Sequence, residues 1–190
     1  MERIEKMKKL AREIQENFKN FYLGGGTVLM FKYNHRISED LDFFSEKEFS
    51  FLRLSSKIKK IFKIERYEQY IDNIDFFIED IKVYFIFFPF KNIEPIQKYE
   101  GIKVASDYDI FLNKIYSAGR RIEVKDVIDF VFLYERYRWK KEKVKEDFEV
   151  KFPNQSFEIY LGAILSTEDY PYLDEKTLKI IEVLKKDWEI

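Results

Sequence analysis

Two short motifs that lie close together constrain the fold and chemistry of this chain most. The first is a glycine turn, Leu23-Gly24-Gly25-Gly26-Thr27, and the second is an acidic segment, Asp40-Leu41-Asp42-Phe43-Phe44. Because glycine has no Cβ, backbone amides in such a turn can approach a phosphate closely, and a helix that starts there adds its positive end. The turn therefore predicts an anion site between a strand and a helix.

The acidic segment predicts a site for a divalent cation. Asp40 and Asp42 are two positions apart in a segment typical of a strand, so both side chains leave the same face, roughly 6 to 7 Å apart at the backbone. Carboxylates at this spacing can bind one Mg²⁺ or bracket two. The alternatives are that the acids cap a helix or face water, and that the glycine run is only a tight turn. The phenylalanines that follow favour the cation, because acids on a strand entering the core need a cation or donor partners.

Composition excludes several classes of protein. With 190 residues we expect one compact unit, and 46% apolar residues supply its core. The 34 basic and 35 acidic residues nearly balance, so any basic surface must be local. The absence of cysteine excludes disulfides and thiolate metal sites, and a lone histidine, His35, excludes a multi-histidine centre. The most apolar stretch, residues 81–90, is far shorter than the ~20 residues that span a membrane, and no secretory signal is visible, so we expect a soluble cytoplasmic protein.

Hydrophobic periodicity predicts an α+β fold in two parts. In the first part, helices are predicted at residues 4–20, 27–33 and 51–62, and strands at 21–23, 40–44, 64–70, 74–78, 81–88 and 101–105. From residue 106 the pattern is helical, with segments at 110–118, 124–137, 142–148, 156–165 and 175–188. Ser106 and Asp109 form a capping pair at the start of the second part. We therefore predict a mixed α/β core over residues 1–105 and a helical bundle, residues 106–190, packed on it.

A second group of charged residues lies at the start of the helical part. It contains Lys114, Arg120, Arg121, Lys125, Asp126 and Asp129. Lys114 lies among apolar residues of its helix, which predicts that it points into a cleft, where its ammonium would suit a triphosphate. The arginines and Lys125 could add phosphate or nucleic-acid contacts, because guanidinium groups match phosphate geometry. The alternative for each basic residue is a solvated side chain.

Together these residues resemble the AbiEii-type nucleotidyltransferase family, which includes toxins of abortive-infection and type IV toxin–antitoxin systems. The resemblance covers roughly residues 20 to 137, and each motif alone is unspecific, whereas their order is specific. It is carried by Tyr22 to Leu29, His35 to Phe44, Gly101 to Ser106, Lys114, Arg121 and Lys125 to Asp129. The resemblance implies a DNA polymerase β-like nucleotidyltransferase fold, with a mixed sheet flanked by helices.

The resemblance also implies roles for individual residues. Asp40 and Asp42 would hold Mg²⁺, or Mn²⁺ in its place, and Lys114 and Asp126 would complete the catalytic set. The residues that would bind the nucleotide are Gly25, Gly26, Thr27, Ser38, Arg121 and Lys125. The substrate would be a nucleoside triphosphate (NTP), and the acceptor would be RNA, such as the 3′ end of tRNA, or a protein hydroxyl. A cognate antitoxin is the implied protein partner.

One departure from the superfamily pattern concerns a third carboxylate. Polymerase β-like transferases generally carry one on a later strand, but residues 81–88 contain no acid. Three explanations are open: the second metal is held more weakly, Asp126 supplies the missing oxygen, or the protein binds nucleotide without efficient turnover. The favoured prediction is Mg²⁺-dependent transfer of a nucleoside monophosphate (NMP) to a hydroxyl. The alternatives are a nucleotide-binding regulator and a protein-interaction module of the same fold.

Overall fold

A seven-stranded mixed sheet organises the first half of the chain in the computed structural model, which describes residues 2–190. The strands run in the order β3-β4-β5-β2-β1-β7-β6. Their bounds are β1 Tyr22–Gly24, β2 Asp40–Ser45, β3 Ile64–Gln69, β4 Asn73–Ile78, β5 Ile81–Phe87, β6 Gln97–Tyr99 and β7 Ile102–Val104. The strand that carries the two aspartates, β2, is therefore central, antiparallel to β1 on one side and parallel to β5 on the other.

Buried and half-buried residues alternate along the central strands, so that one face of the sheet is apolar and the other is polar. Leu41 and Phe43 on β2, and Val83 and Phe85 on β5, are fully buried. The residues between them, including Asp40 and Asp42, are half-buried on the opposite face. Burial of the aromatic side chains supplies much of the stabilisation, at roughly 25 cal/mol per Å² of apolar surface. The core therefore fixes the register that brings both aspartates to one face.

Eight α-helices accompany the sheet in the described chain. They are α1 Glu2–Asn17, α2 Gly25–Tyr33, α3 Phe51–Ile61, α4 Asp107–Ala118, α5 Val124–Tyr137, α6 Lys141–Lys151, α7 Phe157–Leu165 and α8 Glu175–Asp187. Serine or aspartate caps start four of them, at Ser50, Ser106, Ser156 and Asp174, and each side-chain oxygen accepts a backbone N–H of the first turn. None of the helices within residues 2–190 is both long and apolar enough to cross a membrane.

The described chain divides into two compact units. The first contains the described residues up to Lys91 together with Pro95–Ala105, and the second contains Asn92–Glu94 and Ser106–Ile190. The predicted domains, residues 1–105 and 106–190, stay predictions; in the structure the short segment 92–94 is the exception to a division of the described chain at residue 105. Asp109 explains that exception, because its carboxylate accepts the backbone N–H groups of Ile93 at 2.8 Å and Glu94 at 2.9 Å.

The predicted α+β class is confirmed, and most elements lie within a few residues of their predicted bounds. The sequence did not predict β6, whose residues Gln97 and Lys98 are exposed. A strand of three residues without an apolar face gives no periodic signal, so its pairing with β7 becomes visible only in the structure. α6 runs three residues beyond its predicted end, to Lys151, which is buried.

Candidate active site

The glycine run joins the end of β1 to the start of α2. Gly24 occupies the N-cap position of α2 and has no side chain with which to accept the first amides of the helix. Gly25 follows in the left-handed region, with φ of +71°, which side chains rarely adopt. A Cβ at Gly25 would lie 2.6 Å from Oδ2 of Asp42. Glycine is therefore required here both by the backbone conformation and by the close approach of the Asp42 carboxylate.

Thr27 connects the glycine run to the acidic segment. Its side chain is fully buried, and Oγ1 lies 2.5 Å from the backbone oxygen of Asp40 and 2.7 Å from Oγ of Ser38. Since a hydroxyl carries one proton, Thr27 donates to the Asp40 carbonyl and accepts from Ser38. The hydroxyls of Thr27 and Ser38 thus hold the Asp40 segment in place. Because the Thr27 hydroxyl is already used, a phosphate could contact Thr27 only through its backbone. The nucleotide-binding roles of Gly25, Gly26, Thr27 and Ser38 stay predictions.

Asp40 and Asp42 lie on a polar sheet face that continues onto two neighbouring strands. The register pairs Asp42 with Tyr84 on β5, and Tyr84 with Asp75 on β4. In the next row, Asp40 pairs with Lys82 on β5. Side chains of paired residues share a sheet face. We call these five residues, Asp40, Asp42, Asp75, Lys82 and Tyr84, the carboxylate face.

An ion pair occupies one side of the carboxylate face. Lys82 Nζ lies 2.9 Å from Oδ2 of Asp75, whose side chain is 1% exposed, and 4.6 Å from the centre of the Tyr84 ring. Burial works against the charged form of Lys82, but its contacts with Tyr84 and Asp75 outweigh this effect and raise its pKa above the usual value. Burial is also the main cause of the raised pKa of the Tyr84 hydroxyl; Lys82 lowers that pKa and Asp40 and Asp42 raise it.

Divalent cation binding fits the donor set around β2. Two carboxylates leave one face of a central strand, next to a glycine turn that keeps space for the carboxylate of Asp42. Within residues 2–190 no group of three or more histidine, cysteine, aspartate or glutamate side chains is arranged to hold a metal ion. Mg²⁺ is commonly bound by one or two carboxylates, with substrate phosphates and water as its other ligands. The residues present therefore suit an ion that arrives with a nucleotide.

The charged group predicted in the second unit forms a buried ion cluster. Lys114 Nζ lies 2.7 Å from Oδ1 of Asp126 and 2.7 Å from Oδ2 of Asp129, and all three residues are buried. Arg121 Nε lies 2.9 Å from the other oxygen of Asp126. The two carboxylates balance the two cations, so the Lys114 ammonium is already paired inside its own unit. Contacts of Lys114, Arg121 and Asp126 with a nucleotide stay predictions, as does that of Lys125, which is exposed.

The lowered pKa of Asp126 makes the stability of this cluster depend on pH. Burial disfavours ionised Asp126, but Lys114 and Arg121 outweigh it, so the pKa of Asp126 lies below its usual 3.8. Its stabilisation is complete above pH 3.8 and is lost as the pH falls through the lowered value. We expect wild type to exceed Asp126→Asn in free energy of unfolding by an amount that shrinks below pH 3.8. Urea denaturation of both proteins at several pH values measures this difference, and a difference that stays constant would contradict the assignment.

Sequence reasoning missed three members of the carboxylate face, Asp75, Lys82 and Tyr84. The available signal was an acid inside the apolar strand Ile74–Ile78, with a lysine on the following strand. An acid in such a run needs a partner, but only the pairing register shows that Lys82 is that partner and that Tyr84 stands between Asp75 and Asp42.

Comparison with known proteins identifies the family. The model of the family described as "Nucleotidyl transferase AbiEii toxin, Type IV TA system" matches residues 8–189. An uncharacterized protein of Aquifex aeolicus (strain VF5) is 29% identical over 98% of this chain and 92% of its own length.

Two crystal structures from Helicobacter pylori share the fold. JHP933 superposes with a TM-score of 0.58 at 21% identity, covering 98% of this chain and 91% of its own. A candidate nucleotidyltransferase gives a TM-score of 0.59 at 21% identity, covering 98% of this chain and 94% of its own. The family match spans both the glycine run and the acidic strand. The chain therefore belongs to the AbiEii family and is a nucleotidyltransferase of the kind that serves as the toxin in type IV toxin–antitoxin systems.

Proposed function

We propose that this nucleotidyltransferase transfers an NMP from an NTP to a hydroxyl of an RNA acceptor, with release of pyrophosphate and with Mg²⁺ held by Asp40 and Asp42. The observation that carries the proposal is the placement of Asp42. Its carboxylate lies against Gly25 at the start of α2, which supports the proposal because the proposed anion site and the proposed cation site would then adjoin. An NTP with its metal ion requires both kinds of site next to each other.

The chain's own residues act mainly by positioning. The first amides of α2 point toward the helix start and, with the helix dipole, bind the negative oxygens of the triphosphate. Asp40 and Asp42 orient the metal-bound nucleotide relative to these amides, and Thr27 fixes the Asp40 backbone through its hydroxyl. When bound, Mg²⁺ neutralises charge on the triphosphate and lowers the pKa of the attacking hydroxyl. The catalytic machinery therefore rests on a rigid strand and helix rather than on mobile loops.

The RNA acceptor and an antitoxin partner are proposed from the family resemblance. The expected biological consequence is arrest of growth when the protein is produced without its antitoxin. Because arrest would require transfer, the double variant Asp40→Asn/Asp42→Asn should be harmless when produced at the same level. Toxicity that survives the double substitution would favour a protein-interaction role instead.

Incorporation of labelled nucleotide tests the reaction directly. Purified protein is incubated with Mg²⁺, total cellular RNA and each of the four α-labelled NTPs in turn. We expect label in RNA with at least one NTP, removed by ribonuclease and absent with Asp40→Asn/Asp42→Asn. Label that resists ribonuclease but not protease would assign the acceptor as a protein hydroxyl. Nucleotide binding without any incorporation would instead support a regulator that lacks turnover.

Gly25→Ala tests whether the glycine run positions Asp42. Alanine in the left-handed region costs roughly 1–2 kcal/mol, and its Cβ would displace the carboxylate that lies 2.6 Å away. A misplacement of about 1 Å can lower a rate about 100-fold, so we expect a loss of that size in labelled-nucleotide incorporation. The matched control is Gly162→Ala in α7, where the added Cβ meets nothing within 4 Å. Wild-type activity in Gly25→Ala would contradict this role.

A further inference from the structure

Asp75 is an unusual acid because it is buried in the middle of a strand. Its side chain is 1% exposed. Its close contact is the ion pair with Lys82, at 2.9 Å. A buried carboxylate depends strongly on the cation that pairs with it, since burial removes the water that would otherwise stabilise it. Asp75 therefore holds the Lys82 ammonium tightly.

Lys82 has a second set of carboxylates within reach. Its register partner on β2 is Asp40, and adjacent strands lie about 4.8 Å apart. Asp42 lies in the neighbouring row of the same face, as the partner of Tyr84. Even so, the ammonium lies over the Tyr84 ring and pairs with Asp75 on the far side of β5. The lysine side chain is thus directed away from the two aspartates that the proposed function assigns to a metal ion.

This direction matters for cation binding at β2. An ammonium paired with Asp40 or Asp42 would neutralise part of the charge that attracts a divalent ion and would occupy an oxygen that the ion needs. An opposite charge within about 4–6 Å lowers the pKa of a carboxylate by 1–3 units. The same attraction lets an ammonium group compete with a metal ion for that carboxylate. A residue that holds the Lys82 side chain away from Asp40 and Asp42 would therefore increase their affinity for a divalent cation.

We propose that Asp75 is a positioning residue that holds Lys82 away from Asp40 and Asp42, and so keeps its ammonium from competing with a divalent cation for these two carboxylates. This inference rests on the proposed function, because it takes these two aspartates as the metal ligands. Asp75 acts through Lys82 and touches neither the ion nor the nucleotide. In the row formed by Asp42, Tyr84 and Asp75, Asp75 lies farthest from β2. Its carboxylate therefore positions Lys82 without being a ligand of the cation.

Titration with Mn²⁺ alone, followed by electron paramagnetic resonance of the free ion, measures the effect without any reaction. Four variants are compared with wild type: Asp75→Asn, Lys82→Met, Asp75→Asn/Lys82→Met and Asp40→Asn/Asp42→Asn. We expect Asp75→Asn to weaken Mn²⁺ binding about tenfold, the effect of roughly one pKa unit of competition. Lys82→Met should bind Mn²⁺ at least as tightly as wild type. The Asp75→Asn/Lys82→Met double variant should regain wild-type affinity, because the competing ammonium is gone.

The double variant separates positioning from a structural role. If Asp75→Asn weakens binding only by loosening the fold, then removing Lys82 as well will not restore it, and the inference is overturned. Unchanged Mn²⁺ affinity in Asp75→Asn also overturns it, while the metal site itself would stand. Failure of wild type to bind Mn²⁺, or wild-type binding by Asp40→Asn/Asp42→Asn, would instead reject the proposed metal site. Thermal unfolding of each variant confirms that the compared proteins are folded.

Discussion

Asp42→Asn is expected to lower the rate of nucleotidyl transfer by about 100- to 1000-fold, the usual effect of removing one preorganised electrostatic group from an active site. The amide has the same shape as the carboxylate but no charge, so the space beside Gly25 stays filled while cation binding is lost. Incorporation of labelled NTP under single-turnover conditions measures the change. The half-buried position on β2 predicts little change in the thermal unfolding midpoint.

Asp72→Asn is the matched control for this substitution. Asp72 lies in the exposed turn between β3 and β4, where the same chemical change should leave the rate of transfer unaltered. Equal rates for Asp42→Asn and wild type would remove Asp42 from the catalytic set. A loss of rate accompanied by a large fall in unfolding temperature would instead assign Asp42 a structural role.

Lys151→Met is expected to destabilise the protein by about 3–5 kcal/mol, as is typical when one partner of a buried ion pair is removed. Lys151 Nζ lies 2.6 Å from Oδ1 of Asp109, and both side chains are 0% exposed. Without the lysine, a buried carboxylate would keep only its hydrogen bonds from the Ile93 and Glu94 amides and from Ser106. Urea denaturation monitored by circular dichroism measures the loss.

Two further variants test whether this loss comes from the ion pair. The loss of unfolding free energy in Lys151→Met/Asp109→Asn should be smaller than the sum of the losses in the two single variants. Substitutions of residues in contact do not have additive effects. Lys145→Met provides the control, since its ion pair with Glu158 is exposed and such pairs contribute little. A mild effect of Lys151→Met, similar to that of Lys145→Met, would show that the buried pair does not stabilise the helical unit.

Local patterns in the sequence were sufficient to predict the elements that carry the candidate site residues. Asp40 and Asp42 alternate with buried residues, so a period of two predicted both the strand and their shared face. The capping pair at Ser106 likewise predicted the start of α4, where the serine accepts the backbone N–H of Asp109 at 2.9 Å. These signals are local because each depends on residues only two or three positions apart.

The partners of charged residues could not be predicted in the same way. The pairing of Lys82 with Asp75 depends on the register of β4 against β5. The burial of Lys114 between Asp126 and Asp129 depends on how α4 packs against α5. A lysine among apolar residues predicts a protected ammonium, but whether a carboxylate or a ligand protects it is decided by tertiary structure.

The grouping of residues 92–94 with the helical unit has a practical consequence for dissecting this protein. A fragment that starts at residue 106 would lack the two amides that Asp109 binds at 2.8 and 2.9 Å. Proteolytic or genetic separation at residue 105 would therefore leave a buried acid with fewer donors. A fragment that begins at Asn92 would preserve these bonds, but it would also carry Pro95–Ala105, with β6 and β7, from the first unit.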